Sequence, residues 1–459
     1  MTAVTPDLLR RYDVPGPRYT SYPTADRFTE EFKSSDYERA LQRRKNNVMA
    51  THAMSLYVHI PFCDSLCYYC ACNKIITKHH ERAQTYLQYL SKEVALQVAQ
   101  CGRKQPVSQL HIGGGTPTFL NDAELTQLMQ LLRENFQFET KGEYSIEIDP
   151  RSVTRERLNH LAELGFNRLS FGVQDFDPLV QKAVHREQPA ELVFDLVEAS
   201  RALGFESVNV DLIYGLPQQN ATSFARTLEQ VVELKPDRIA LYAYAHLPER
   251  FKPQRRIDAA ALPVAEVKLE MLSTAMDVFM RAGYVYVGMD HFALPTDALA
   301  KAKRQGRLHR NFQGYSTHPD CDLIALGVSA IGKMGGTYSQ NAKTLDDYYS
   351  MLDQERLPVV RGLALSRDDM VRRAVIMALM CQGEVLFESI DQAWIIDSRS
   401  YFSRELKELE RHEDQGLVVL NGDGVRVTSK GWFFVRAIAM VFDAYLQNQK
   451  QLAKFSRII

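Results

Sequence analysis

Four cysteines in ten residues, "CDSLCYYCAC" (63–72), form the densest group of soft ligands in this 459-residue chain. Cys63, Cys67 and Cys70 follow one another at gaps of three and two residues, a spacing at which thiolates wrap one soft metal centre. Zinc and iron–sulfur are the physical candidates. A structural zinc site usually draws paired ligands from two separate segments, and no second Cys/His pair with finger spacing follows. Cys72 leaves two outcomes open. As a fourth ligand it closes a four-iron cluster, which is then fit only for electron transfer; as a bystander it leaves one iron bare for a substrate or cofactor. Only Ala71 separates it from Cys70, so reaching another corner of the same cube demands a tight local backbone. The total of seven cysteines is odd, and Cys101, Cys321 and Cys381 are scattered, which makes a poor disulfide framework and a good cytosolic metal or redox pattern.

Such a loop needs elements to carry it. Between about residues 55 and 295, β-rich apolar runs alternate with helix-period segments. The predicted strands are 55–60, 108–114, 144–149, 168–174, 207–215 and 238–247, with 284–289 as a possible seventh. In "VTRERLNHLAELG", Leu158, Leu161 and Leu164 share a helix face and Gly165 supplies the stop. The segments "LAELGFNRLSF", "SRALGFESVNV" and "MRAGYVYVGM" all run helix, Gly, aromatic, strand, as repeated βα units do. Six or seven units predict an α/β fold, a full or partial TIM-like (β/α) barrel, with its chemistry at the C-terminal strand ends. The cysteines directly follow the first strand.

The three-and-two spacing, with Tyr69 before the last cysteine, resembles the radical S-adenosylmethionine (SAM) superfamily, in which the fourth iron chelates SAM. A ring of polar groups at the other predicted strand ends agrees with a cofactor cavity. "HIGGGTPT" gives Gly113, Gly114 and Gly115, where missing side chains let backbone approach a ligand, and Thr116 adds a hydroxyl. "IEIDP" offers Glu147 and Asp149 for ribose hydroxyls, and Gln174, Arg186 and Asp211 continue the rim. "YAYAHLP" ends the sixth strand, and the apolar "ALGVSAIG" (325–332) suits an adenine ring.

The resemblance then narrows. "GPRYTSYPTA" (16–25), "LYVHIPFC" (56–63), the extra "CAC", "GGGTPT", "GVQDF", "DLIYGLP", "YAHLP", "GMDHFA" and "HRNFQGY" (309–315) together are similar to the oxygen-independent coproporphyrinogen III oxidases of haem biosynthesis. They span nearly the whole chain. The resemblance implies a partial barrel, the radical SAM core, with an N-terminal extension and a small, mostly helical C-terminal domain. It implies a [4Fe–4S] cluster on Cys63, Cys67 and Cys70 with one open iron, and Cys72 as a non-ligating cysteine. It places Tyr57, Gly114, Glu147 and Ile331 around the SAM on that iron, and Gly115, Thr116, Gln174, Arg186, Asp211 and Ala245 around a second SAM. The implied reaction converts two propionates of coproporphyrinogen III to vinyl groups, giving protoporphyrinogen IX and two carbon dioxide molecules. An electron donor and a terminal acceptor are required, and the sequence identifies neither. Family members tend to be monomeric.

A substrate with four carboxylates calls for cations at the mouth of the site. Arg18, Arg310, Arg255 and Arg256 are the candidates. His59, on the strand leading into the cysteines, joins Cys72 and Arg310 as a candidate for the chemistry itself. The alternative reading is a haem chaperone of the related family, which binds haem instead of oxidising a porphyrinogen. Those relatives lack the "PRYTSYPTA" segment and the fourth cysteine, and this chain has both.

A net charge of −1 with 24% charged residues gives no global pull toward nucleic acid or membrane. The start lacks a signal or transit pattern and no long apolar run follows, so cytoplasm is expected. The expected division is an N-terminal extension over the active site (1–54), the barrel domain (55–360) and a helical domain (361–459). The last reads as helices, the hairpin "LVVLNGDGVRVT" and the helix "KGWFFVRAIAMVFDAYL", with a winged-helix flavour but no dense basic face for DNA.

Overall fold

The structure is a computed structural model that describes residues 6–12, 14–47, 52–318, 321–446 and 455. It divides into two compact units, each assembled from separated stretches: 28–282 with 321–364, and 1–27 with 283–320 and 365–459. These units group residues by packing and interleave the blocks 1–54, 55–360 and 361–459.

The first unit is the α/β core. Its parallel strands are β1 (Met54–Ile60), β2 (Gln105–Gly114), β3 (Phe136–Ile148), β4 (Arg168–Gln174), β5 (Ser207–Tyr214) and β6 (Arg238–Ala243). Each pairs with the next in sequence order. Between them lie α1 (Glu81–Cys101), α2 (Asp122–Asn135), α3 (Arg155–Glu163), α4 (Ala190–Ala202) and α5 (Ala221–Leu234). On the other side of β1 the sheet continues through β7 (Leu323–Leu326), parallel to β1, then antiparallel through β8 (Ile331–Met334), β9 (Thr337–Asn341) and β10 (Val359–Ala364). This is a partial (β/α) barrel. β1 reads as a near-continuous apolar run because it is covered on both faces, with only Tyr57 partly open.

Local signals set the helix boundaries. The side chains of Asn121 and Asn220 accept the N–H of the third helical residue and complete reciprocal capping boxes on α2 and α5, and Thr154 caps α3. Gly165 and Gly204 follow α3 and α4 at φ of +85° and +81°, a left-handed turn that glycine takes without a Cβ penalty. The repeated Gly-aromatic step is thus a chain-reversal device.

The second unit carries helices Arg367–Gln382 and Ser403–Asp414 and a three-stranded antiparallel sheet of Glu384–Leu386, Gly424–Val427 and Val418–Asn421. The N-terminal motif is knitted to its end. Tyr19 donates to Asp443 at 2.8 Å, the Ala444 N–H donates to the Tyr22 hydroxyl at 3.1 Å, and Arg436 donates to the carbonyls of Pro17 and Gly16. Two expectations are corrected here. The predicted seventh strand does form, at Val285–Gly288, but it pairs antiparallel with His291–Ala293 and not parallel as a further βα unit would. The last predicted helix is broken: Gly431–Phe434 is a 3-10 turn, Phe434 sits at φ −113°, and only Val435–Met440 is α-helical. Among the described residues no helix is long and apolar enough to cross a membrane.

Candidate active site

The cysteine loop is tied at its base. Beyond β1, Phe62 and Cys63 pair in parallel with Ile75 and Ile76, the Ile75 N–H donates to the Pro61 carbonyl at 2.7 Å, and the Thr77 N–H donates to the Cys63 carbonyl at 3.0 Å. Its tip is also fixed. The Tyr68 N–H donates to the Val184 carbonyl at 3.0 Å, its ring stacks on His185 at 5.1 Å, and Gln254 donates to the Tyr69 carbonyl at 3.0 Å. Both tyrosines pack against an apolar cluster of Val180, Val184, Leu216, Tyr244 and Ile257.

The sulfurs differ in what surrounds them. Thr116 donates to Cys63 Sγ at 3.4 Å, while burial pushes the Cys63 thiol up to about 12 against that hydrogen bond. Arg186 and Arg151 donate to Cys67 Sγ at 3.5 and 3.7 Å. A hydrogen bond from the Cys72 thiol, with the charge of Lys74, brings Cys70 down to about 6 despite burial. The same pairing raises Cys72, which is exposed. Cys63, Cys67 and Cys70 therefore each meet a hydroxyl or a cation, whereas Cys72 is engaged with Cys70. Among the described residues no three His, Cys, Asp or Glu side chains converge closely enough to hold a single metal ion. Three buried or half-buried thiols on one anchored loop, supported by donors to sulfur, fit a cluster that takes its ligands at separate corners.

A second constellation lies across β1, β2 and β3. Tyr57 stacks on His111 with ring centroids 5.9 Å apart and tilted by 16°. The Tyr57 hydroxyl lies 3.0 Å from His59 Nδ1, and His59 Nε2 lies 2.9 Å from the Asn73 carbonyl. A carbonyl only accepts, so Nε2 carries the proton and Nδ1 accepts from Tyr57. Burial lowers His59 and keeps it neutral. Glu147 lies 3.3 Å from His111 Nε2 and accepts the Gly114 N–H at 3.0 Å. Burial opposes its charge, but His111 and the Gly114 N–H outweigh that and hold the carboxyl below its ordinary value. With its side chain 42% exposed, Glu147 is an ionised carboxylate facing open space.

Several strand-end residues do something other than expected. The glycine run makes room for the protein's own groups. A Cβ on Gly113 would lie 2.9 Å from the Glu147 carboxylate, one on Gly114 2.7 Å from the His59 ring, and one on Gly115 2.7 Å from the Pro61 and Phe62 carbonyls. Asp149 is committed, accepting from Arg151 at 2.7 Å and Arg186 at 3.2 Å, so it is not free for ribose hydroxyls. Arg186 is buried and also donates to the Gly172 carbonyl at 2.7 Å. Asp211 is not at a strand end: it lies mid-β5, level with Gly172, hydrogen-bonded by Ser170 and Asn209. Burial, with the Glu147 charge nearby, lifts it to about 6. Gln174 ends β4 at φ +69°, Ala245 lies two residues past β6, and Ile331 opens β8. A cleft of about 790 Å³ between residues 176–191 and 223–233 includes none of these groups.

Sequence reasoning missed His111 and Arg151. His111 lies on a predicted strand, where it is the register partner of Tyr57, and its place beside the glycine run was the available signal. In the second unit, Arg18 is ion-paired with Asp290, and Arg310 pairs across a short hairpin with Tyr315.

A parallel-stranded partial barrel with an anchored three-cysteine loop at the end of its first strand defines a radical SAM protein, and residues 57–231 match the Radical SAM superfamily model. Residues 365–434 match the HemN C-terminal domain model. Along its whole length the chain belongs to the oxygen-independent coproporphyrinogen III oxidase family. It is 51% identical to the Pseudomonas aeruginosa oxygen-independent coproporphyrinogen III oxidase over 99% of this chain and 98% of that one. It is 47% identical to the Escherichia coli enzyme over 98% of each chain. The solved structure of coproporphyrinogen III oxidase (HemN) from Escherichia coli, described as a radical SAM enzyme, matches with a TM-score of 0.89 at 46% identity, covering 95% of this chain and 100% of that one. Nothing in these matches favours the haem-chaperone alternative.

Proposed function

We propose that the protein oxidatively decarboxylates two propionate side chains of coproporphyrinogen III to vinyl groups, giving protoporphyrinogen IX. The near-complete match to coproporphyrinogen III oxidases carries the reaction, and the cysteine loop carries the chemistry. Cys63, Cys67 and Cys70 would hold a [4Fe–4S] cluster, with Cys72 free. Bound together there, cluster and SAM supply a one-electron reductive cleavage that makes a hydrogen abstractor for the propionate β-carbon.

The chain's own residues orient and protect. Ionised Glu147, held by His111 and the Gly114 N–H, suits an ammonium or hydroxyl donor of SAM, and Tyr57 with Ile331 would flank it. Gly115, Thr116, Gln174, Arg186, Asp211 and Ala245 would line a second SAM. Asp211 supports that reading, because a buried carboxyl lifted to about 6 is ready to be re-ionised by a cationic ligand. Arg186 and Arg151 screen the Cys67 thiolate while Asp149 fixes both guanidinium groups. Neutral His59 locks Tyr57 against the Asn73 backbone, which makes it a positioning residue in this scheme.

The test is anaerobic turnover: reconstituted protein, SAM, a reductant and coproporphyrinogen III. Protoporphyrinogen IX and 5′-deoxyadenosine should form together. An intact cluster that yields neither counts against the proposal.

A further inference from the structure

The three cysteines of the anchored loop do not share positive charge equally. Thr116 gives Cys63 a neutral hydroxyl at 3.4 Å, and Cys70 has the Cys72 thiol and one ammonium, that of Lys74. Cys67 receives two guanidinium groups at its sulfur, Arg186 Nη1 at 3.5 Å and Arg151 Nη2 at 3.7 Å. A single carboxylate, Asp149, serves both arginines, at 2.7 Å from Arg151 and 3.2 Å from Arg186. Two guanidinium groups and one carboxylate leave a net positive charge, and Cys67 Sγ is the atom that both cations reach.

The two arginines are held in different ways. Arg186 is buried and also ties the chain together, since its Nε and Nη2 donate to the Gly172 carbonyl of β4 at 3.2 and 2.7 Å. Arg151 has no such duty: among the described residues its side chain donates only to Asp149 and to Cys67 Sγ. The local chain places it. β3 ends at Ile148, and Asp149 caps the 3-10 turn Pro150–Ser152 by accepting the Arg151 N–H at 3.1 Å. The same carboxylate takes Arg151 Nε at 2.9 Å on one oxygen and Nη2 at 2.7 Å on the other. That two-point grip fixes the guanidinium plane, and Nη2 bridges carboxylate and sulfur.

We infer that Arg151, positioned by Asp149, sets the reduction potential of the cluster held at Cys67 and makes that cluster easier to reduce. Hydrogen bonds and charge at a ligand sulfur are among the levers by which a protein tunes an iron–sulfur centre. The inference rests on the proposed function for Cys67 as a cluster ligand. Its direction follows from charge: an electron arriving from an external reductant is stabilised by a fixed cation beside the thiolate. Without Arg151 a stronger reductant is needed to deliver it.

The experiment uses the reconstituted full-length protein without SAM: wild type against Arg151→Met, Arg151→Lys and, as a control, Arg155→Met, which removes the same charge from an exposed ion pair with Asp195. Iron content, melting temperature and the midpoint potential of the cluster are measured, the last by titration with titanium(III) citrate followed by electron paramagnetic resonance. Arg151→Met should keep its iron and titrate at a more negative potential. Its reduced-to-oxidised ratio at a fixed ambient potential should fall about tenfold, the scale of one hydrogen bond to a charged group and a shift of about 59 mV for a one-electron couple. Arg151→Lys keeps the charge without the two-point grip and should titrate between the two. Arg155→Met should match the wild type. Full iron in Arg151→Met with the wild-type potential or a more positive one overturns the inference, and a lowered melting temperature alongside it would mark a structural arginine. An equal shift in Arg155→Met overturns it too, because net charge would then suffice. Should Arg151→Met take up no iron, Arg151→Lys carries the same titration; loss of iron from both overturns the inference by making Arg151 an assembly residue. A potential that shifts in Arg151→Met while the wild type forms no vinyl product overturns the functional proposal and leaves this inference standing.

Discussion

The Tyr86 hydroxyl donates to the His59 carbonyl at 2.7 Å and accepts the Val328 N–H at 3.0 Å, so one side chain of α1 joins the end of β1 to the turn that leads into Ile331. The contact is close because Gly327 has no side chain: a Cβ there would lie 2.4 Å from the Tyr86 hydroxyl. Tyr86→Phe strands a buried carbonyl and a buried N–H. Chemical denaturation should show a loss of about 2–4 kcal/mol, the sum expected for two unsatisfied groups.

Glu93, two helical turns further along the same helix, is the pH-sensitive member of this network. It accepts from the Gly327 N–H at 2.7 Å, the Asn341 amide at 2.7 Å and the Tyr348 hydroxyl at 2.6 Å. Burial lifts it to about 7 from 4.5 even against those three donors. Between these values the folded protein binds more protons than the unfolded chain, so stability falls as pH rises from about 4.5 through about 7. The decline attributable to this group is at most about 3 kcal/mol. Glu93→Gln should flatten that part of the stability profile; a profile that keeps its slope would assign the dependence elsewhere.

His111 is expected to act through Glu147. Phenylalanine at 111 preserves a ring for Tyr57 to stack on but removes the hydrogen bond to the carboxylate. SAM affinity, measured by equilibrium dialysis on the reconstituted protein, should fall about tenfold, the scale of one charged hydrogen bond, with iron content unchanged. Glu147→Ala should weaken binding at least as much, again without loss of iron. Equal SAM affinity in all three proteins would remove Glu147 from the cofactor site.

Cysteine replacement separates an open cluster from a closed one. Cys63→Ser should lose the four-iron chromophore, because Cys63 is a proposed ligand with Thr116 donating to its sulfur. Cys72→Ser should retain it, since Cys72 is exposed and interacts with Cys70 instead. Iron content and visible absorbance decide between them, and loss of iron in Cys72→Ser would return Cys72 to the ligand set.

Period and turn chemistry made the barrel legible: the strand at 168–174 was placed to the residue, and the glycines after α3 and α4 marked real chain reversals. Pairing partners were not legible. Residues 284–289 repeat the helix, Gly, aromatic, strand pattern of the parallel strands, yet they fold back on His291–Ala293, because local sequence carries the strand and not its neighbour. β3 starts at Phe136, well before the expected 144, since its early residues alternate with exposed polar ones and pair with β2 at Gln105–Val107. Among site residues, those adjacent to cysteines or glycines were found by type and spacing. His111 and Arg151 were not, because their roles come from which strand or helix packs beside which. The glycine run also serves the protein's own packing, which spacing alone does not reveal: a Cβ at these positions would meet Glu147, His59 and the Pro61 and Phe62 carbonyls.

The most direct test of the central claim follows the hydrogen itself. With coproporphyrinogen III deuterated at the propionate β-carbons, anaerobic turnover by the reconstituted protein should place deuterium in 5′-deoxyadenosine while vinyl product accumulates. Vinyl product accompanied by unlabelled 5′-deoxyadenosine would contradict it.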